Sequence, residues 1–585
     1  MMFLLLERNH AHLIQTNYML LCTPKFVRCC FFTFDGVTLG IVMGTFGLWK
    51  YVAAHNVQYA ADKKVGGGVD HMFLDMNGLM HMSYSKASPT SATTMKNLKS
   101  LIQKLLNLYN PTKSLIVVFD GPAPTAKLRT QRERRQSMLK NSESMELNEA
   151  QIVTGSPFVL DCEKEIIEML RIGAAQKKLC GVEIDGMLVL RVNGSTVPGE
   201  GEIKIGEELR RLPYVAGAYD PDDRVVVVGN DSDLILTCIA CTPYHNFFVV
   251  NPFTFVATHV GELMTHWTNV DSVRKLPLEL LPSFRLDFVF LALLAGGDHY
   301  PGIEDDWLQL WRRYRKLRLD GGFFRQSLVT RDSKGETQLH WELFRAVAAR
   351  DHGVMQHYVG SKNKRKTVKA QGSTTAPESG IQLLKDVRWS FDMVSGQPCS
   401  DYYHHHRGEA PRLSSLRSAL GSKGVNGQSA VVHSTVPPLL PLQVYVAVIG
   451  VSRLLPVAIR NSIDSTTLKA FEQTLSVGKI LSSVEEFFKV LRLDQLSNVE
   501  KLALKFGDIC DVIALDPTLD VVSSRSFFSY PVDVNQISFK NLYDSRGVRL
   551  MRIRPVADAA VPVVEPIPGI ADEVVSSSDE VVETC

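Results

Sequence analysis

The sequence predicts an α/β protein with a central, mostly parallel sheet, followed by a mainly helical second region. Three stretches predict it: 72–75 (MFLD), 115–120 (LIVVFD) and 225–231 (VVVVGND) are short apolar runs that each end in an acid. Runs of this length read as buried parallel strands when helical patterns separate them. The helical patterns cover 92–109, 127–141, 161–179, 201–211 and 286–295. In an open α/β sheet the ligand crevice lies beyond the carboxyl ends of the strands, so three such strands concentrate acid at one edge.

Composition sets the bounds. The chain has 585 residues, 45% of them hydrophobic, and 22% charged. This excludes wholesale disorder, and length alone allows three or four domains. The net charge of +2 hides a split. Residues 557–585 carry seven acids and no Lys or Arg, whereas 43–556 carry 61 bases against 53 acids. That balance permits a nucleic-acid partner. The ten cysteines are scattered, as in a reducing compartment. Cys238 and Cys241 form one CxxC with no second pair to complete a zinc site, and read as core residues. No apolar run reaches about 18 residues, so no membrane helix is expected.

Seven acids stand out by context. Asp75 and Asp120 end strands. Glu200 and Glu202 lie in PGEGE ahead of a helix. Asp231 and Asp233 follow the valine run, and Asp298 follows Gly296-Gly297 at a helix end. Each alone reads equally as a helix cap or turn former. Together they need neutralising, because like charges at short range raise one another's pKa. Two magnesium ions, or manganese, supply the charge and accept hard oxygen ligands. Paired metals a few ångströms apart serve in-line phosphoryl displacement.

A second feature follows Asp120 by seven residues. Lys127, Gln131, Arg134 and Arg135 stand at i, i+4, i+7 and i+8 in KLRTQRERRQSMLK and share one helical face. Such a stripe is commonly a solvated surface. Beside an acidic metal cluster it suits a terminal phosphate instead.

At these residues the sequence resembles the XRN 5′→3′ exoribonuclease family. The resemblance covers much of 43–305 and returns at about 381–465. MGTFGLWKYVAAHN, from Met43, looks like the family's start, and FLDMNGLMH, VVFDGPAPTAKLRTQRERR, VPGEGEIKI and GNDSDLI match its ordered acidic motifs. The resemblance implies a PIN-like (FEN-superfamily) nuclease core, divalent metal, and stepwise hydrolysis of single-stranded RNA bearing a 5′-monophosphate. It places all seven acids on the metal cluster, and Lys127, Gln131, Arg134 and Arg135 on a 5′-phosphate pocket. It gives His81 a role stacking on the terminal base and Trp389 a role along the RNA path. Stacking tolerates every base. By pattern alone, His81 is a core or cap histidine and Trp389 a core residue.

Composition and the resemblance together divide the chain. Residues 1–42 read as an upstream extension and 43–305 as the nuclease core. A helical variable region follows at 306–359, then a flexible basic and Ser/Gly-rich linker at 360–380. The second conserved region spans 381–465, a helical or mixed region 466–556, and a disordered acidic tail 557–585. The KNKRK run at 362–366 leans to the nucleus, although basic runs are common in exposed linkers. The family's last acidic motif reads Gly-Asn-Asp-Phe-Leu-Pro, whereas here it is Gly296-Gly297-Asp298-His299-Tyr300-Pro301. His404–His406 stand where the family has an aromatic-rich turn and read as surface residues. Two rival readings remain open: a flap-type endonuclease acting on DNA, and an RNA-binding scaffold with weak catalysis.

Overall fold

The computed structural model describes residues 45–512 apart from several segments, chiefly 61–67, 140–145, 184–188, 213–219, 269–279, 350–376 and 422–433. Beyond these limits it describes short strands, including a hairpin of Phe32–Phe34 and Val37–Leu39. The rest of 1–42, the KNKRK run and the acidic tail lie outside the described residues.

One nine-stranded sheet organises the chain. Its strands are β1 (Gln58–Ala60), β2 (Val69–Asp75), β3 (Pro111–Val118), β4 (Val189–Asn193), β5 (Val225–Val228), β6 (Phe247–Asn251), β7 (Val256–His259), β8 (Ile509–Val512) and β9 (Val522–Ser524). The order is β9-β8-β4-β3-β2-β5-β6-β7-β1. The five central strands, β4 to β6 in that order, are parallel. The two strands on each flank are antiparallel. The α/β, mostly parallel expectation is met, with β1, β4, β6, β7, β8 and β9 added to the three strands read from sequence.

Alternate side chains of each strand serve opposite faces, so both faces need cover. Met72, Leu74, Leu115, Val117, Val226 and Val228 pack on α2 (Ser91–Tyr109) and α4 (Pro157–Gln176). Phe73, Ile116, Val118, Val225 and Val227 pack on α5 (Gly201–Arg211), α6 (Asp233–Cys241) and α7 (Leu281–Leu293). Cys238 and Cys241 are buried in this layer. The same core continues into α8 (Trp307–Leu319), α9 (Trp341–Ala348), α10 (Pro377–Val394) and α11 (Leu413–Gly421). Helix α10 begins inside the expected linker, so 377–380 are helical. Asp287 fastens this layer: it accepts from Arg318 Nη1 at 2.9 Å and from the amides of Leu328 and Val329 at 2.9 and 2.8 Å.

A third core shifts an expected boundary. Leu128 of α3 (Leu128–Leu139) and Leu160 pack with α12 (Pro441–Ile449), Phe471, Ile480, Val484 and Phe487. A division at 465/466 therefore cuts through one packed unit, and β8 then returns the chain to the main sheet beside β4. Fully buried Arg132 of α3 is the bolt. Its Nη1 donates to the Ala447 carbonyl at 2.6 Å, its Nη2 donates to the Phe471 carbonyl, and its guanidinium lies 4.3 Å from the Phe471 ring centroid. Among the described residues no helix is long and apolar enough to cross a membrane.

Candidate active site

The parallel register delivers the acids. Asp75 of β2 pairs with Val118 of β3, and Leu74 pairs with Val228 of β5, so three strands end level. Asp120 and Asp231 follow two and three residues later. β4 ends beside β3, with Val118 opposite Asn193, and a turn carries the chain to Glu200. Three helix N-termini open at the same edge. Asp75 stands at the N-cap position of α1 (Met76–Ser83), Glu200 at that of α5 with Glu202 in its first turn, and Asp233 starts α6. Helix N-termini favour carboxylates, which is why acids close together are tolerated here.

Close backbone approach completes the crowding. A Cβ on Gly201 would lie 2.9 Å from Asp120 Oδ1 and 3.3 Å from Asp75 Oδ1, so a larger residue would push into both carboxylates. The Gly201 amide donates to Asp120 Oδ1 at 2.6 Å, and Asn77 donates to the other oxygen. Asp233 accepts from the Thr45 amide and hydroxyl at 2.8 and 2.7 Å and donates its own amide to Asp231 at 3.0 Å. Asp298 and His299 sit on a tight turn. Gly296 adopts a φ of +74°, which disfavours any side chain, and bridges back to Pro301.

The basic face of α3 meets this edge directly. Lys127, in the turn just before α3, places Nζ 3.1 Å from Glu200 Oε2, 3.5 Å from Glu202 and 4.0 Å from Asp298. Arg134 donates to both oxygens of Asp298 at 2.8 and 2.9 Å. Arg135 Nη1 lies 3.3 Å from His81 Nε2, and His81 Nδ1 lies 3.3 Å from Glu149. Gln131 Oε1 and Arg135 Nε are buried without a hydrogen-bond partner among the described residues. The structure thus brings together all seven acids, Lys127, Arg134, Arg135 and His81, with Gln131 buried on the same helix.

Charge is unevenly settled within the cluster. Burial and neighbouring Asp120 push Asp75 up to about 7. Burial, then Asp233 and Asp298, push Asp231 up to about 8. Burial also raises Asp233, and drives Glu202 well above the carboxylate range despite Lys127. For Glu200, burial acts upward but Lys127 and His299 outweigh it, leaving the group well below its usual value. Asp298 is likewise lowered, by Lys127 and Arg134 against burial. Burial opposes the Lys127 charge, yet Glu200, Glu202 and Asp298 hold it well above the ordinary lysine value.

Carboxylate oxygens are the donors a hard divalent cation takes, and protonation pushed towards neutrality marks charge that a cation would relieve. The donor chemistry therefore fits. As placed, the side chains pair with Lys127, Arg134, His299, Thr45 and Asn77. Among the described residues no three His, Cys, Asp or Glu are arranged to hold a metal ion.

Two placements differ from the sequence reading. Trp389 presents no face to a substrate: it is 2% exposed, and its indole N–H donates to the Asp401 carbonyl at 3.0 Å. The His404–His406 run is not simply surface. His404 Nε2 and His406 Nδ1 bracket the buried Asp386 at 2.8 and 2.6 Å, and only His405 is exposed. Sequence reasoning also passed over Thr45, Asn77, Lys204 and His299. Lys204, two residues past Glu202, donates to the carbonyls of Phe119 and Gly194 at 2.9 and 2.7 Å, tying the Asp120 turn to the turn that leads to Glu200.

Comparison with known proteins points the same way as the acidic motifs. Residues 43–251 match the family described as XRN 5′-3′ exonuclease N-terminus, so the resemblance holds over that stretch. A 5′-3′ exoribonuclease 2 of Candida albicans is 26% identical over 318 residues, covering 42% of this chain and 32% of that protein. The Schizosaccharomyces pombe protein of the same name is 29% identical over 206 residues, covering 30% of this chain and 20% of its own length. The chain thus spans a third or less of the curated relatives it matches. A solved structure of the catalytic core of Rad2 in complex with DNA substrate aligns at 18% identity, with a TM-score of 0.28, over 46% of this chain and 69% of its own.

Proposed function

We propose that the chain is a metal-dependent 5′→3′ exoribonuclease that removes nucleotides from single-stranded RNA carrying a 5′-monophosphate. The contact of the α3 basic face with the acidic edge supports this reading most: Lys127 lies 3.1 Å from Glu200 and Arg134 2.8 Å from Asp298. A phosphate held by Lys127, Gln131, Arg134 and Arg135 places the next phosphodiester beside the carboxylates, and such fixing of distance and orientation removes a large share of a barrier. Arg135 brings a buried Nε–H still in want of a partner.

Asp75, Asp120, Glu200, Glu202, Asp231, Asp233 and Asp298 are the residues that would hold the metals. When bound, two magnesium or manganese ions supply positive charge and Lewis acidity for in-line phosphoryl displacement. The carboxylates serve as ligands and not as nucleophiles. His81 has both ring nitrogens engaged, which fixes its plane and leaves its face for the terminal base. A cap or triphosphate exceeds what four side chains on one helical face can enclose, so such ends resist attack.

The test is a nuclease assay on 5′-phosphate, 5′-hydroxyl and capped RNA, with and without magnesium. The reading expects magnesium-dependent mononucleotide release, fastest from the 5′-phosphate. Equal rates on 5′-hydroxyl RNA would discard the phosphate pocket. Internal cutting of a labelled DNA flap would favour the endonuclease, and absence of turnover the scaffold.

A further inference from the structure

The residue that departs from the family's acidic motif is the one that touches an acid. His299 Nε2 lies 3.1 Å from Glu200 Oε1, while Glu200 Oε2 faces Lys127 at the same distance. The imidazole is 12% exposed and Glu200 2%. Behind His299 stands Trp389, its ring edge-on at 86° and 5.4 Å between centroids. Trp389 is itself held from two sides, by its N–H on Asp401 and by the His404 ring 4.9 Å away. His404 and His406 share Asp386, which is fully buried and also accepts from Gln382 at 2.8 Å. An unbroken run of contacts therefore leads from the second block to one oxygen of one acid.

We propose that His299 is a positioning residue that fixes the Glu200 carboxylate for metal binding, and that Trp389 acts on the site by bracing His299 and not by touching RNA. The inference rests on the metal-dependent nuclease reading. A carboxylate attached through three rotatable bonds samples many orientations. With one oxygen tied to an imidazole that a tryptophan edge keeps from turning, the other oxygen keeps its aim into the cluster. Hydrogen-bonded partners of metal ligands set ligand orientation, and removing one costs about 10–100-fold in metal affinity or activity. A Phe, which the resembled motif carries at this place, cannot make that bond.

The deciding variant is His299→Phe, which keeps an aromatic ring against Trp389 and loses the hydrogen bond. Manganese binding to the full chain, followed by electron paramagnetic resonance, should weaken about tenfold or more in His299→Phe. His299→Gln, which keeps a donor, should recover most of the affinity. Steady-state kinetics should show kcat falling and KM for RNA unchanged. Trp389→Phe should shift manganese affinity in the same direction and leave KM alone. Wild-type manganese affinity in His299→Phe, or equal losses in His299→Gln and His299→Phe, would overturn the proposal. So would a Trp389→Phe change confined to KM. Should wild type neither bind manganese nor cleave RNA, the nuclease reading fails first. If wild type does both and His299→Phe matches it, only this inference fails. A thermal melt of each variant separates misfolding from lost orientation.

Discussion

The two edges of the central sheet carry similar residues in opposite states. At the amino edge, His71 Nε2 meets Asp223 at 3.0 Å and its Nδ1 meets Ser114 Oγ at 2.8 Å. Lys113 reaches Asp223 at 2.5 Å, and Asp70 accepts the Arg224 amide at 2.8 Å. Burial lifts the Asp223 carboxyl, but the hydrogen bonds from His71 and Lys113 more than offset it, so the group ends below its usual value. Serine, histidine and aspartate stand in hydrogen-bonded order here, and all three are buried. At the carboxyl edge, Asp75, Glu202, Asp231 and Asp233 all end above the usual carboxylate value. One edge is settled by its own side chains and contributes to folding. The other holds four raised carboxyls beside two, Glu200 and Asp298, that Lys127 keeps low.

The contrast breaks most visibly at Asp231. Asp231→Asn should lower RNA cleavage by at least about a hundredfold, since even the hydrogen-bonded partners of metal ligands cost up to that much. The melting temperature without metal should hold or rise, because the variant removes repulsion. A nuclease assay beside a thermal melt checks both, and a strong loss of stability would mean that Asp231 is structural. The opposite edge should respond in the opposite sense. Asp223→Ala leaves His71 and Lys113 without their shared partner and should cost about 3 kcal/mol of stability in a denaturant melt. Activity per folded molecule should be retained.

A pH series sharpens the same comparison. Asp75 and Asp231 rise from an ordinary 3.8 to about 7 and about 8, so the folded chain holds their protons longer than the unfolded chain does. Their contribution to stability is complete below about pH 4 and is lost as pH climbs towards 8. Glu200 and Asp298, shifted the other way, lose their contribution only as pH falls below the ordinary carboxylate range. In chelator, the melting temperature should therefore decline between pH 5 and 8, less steeply in Asp231→Asn, and magnesium should restore it. The smallest effect belongs to Arg134→Ala. It should narrow the preference for 5′-phosphate over 5′-hydroxyl RNA by about tenfold, the worth of one charged hydrogen bond. Competition between the two labelled RNAs measures it.

What the sequence disclosed follows the same physics. Strands β2, β3 and β5 were legible because both faces are buried, so their apolar runs are continuous and the acids mark their ends. β4 was not, because Arg191 interrupts it; the guanidinium is buried against Glu208 at 2.8 Å, a partner on another element. β6 ends in Asn251 and so lacked the acidic mark, and β8 joins the sheet from more than 300 residues away. The seven acids were legible one by one. Their partners were not, because Lys127 on Glu200, Arg134 on Asp298 and His299 on Glu200 are contacts between distant turns that no local spacing encodes. Trp389 was weighed as core or RNA path from its motif; only packing shows what its ring touches.

The Arg132 bolt has a consequence in time. A ribosome that has released residues 1–440 has already made every acid of the cluster and the whole basic face of α3. It has not yet made the carbonyls of Ala447 and Phe471 on which Arg132 is fastened, nor α12, against which Leu128 packs. Helix α3 lacks its backing until the C-terminal unit has emerged. On the proposed reading, α3 therefore gains its brace only after most of the chain has been made.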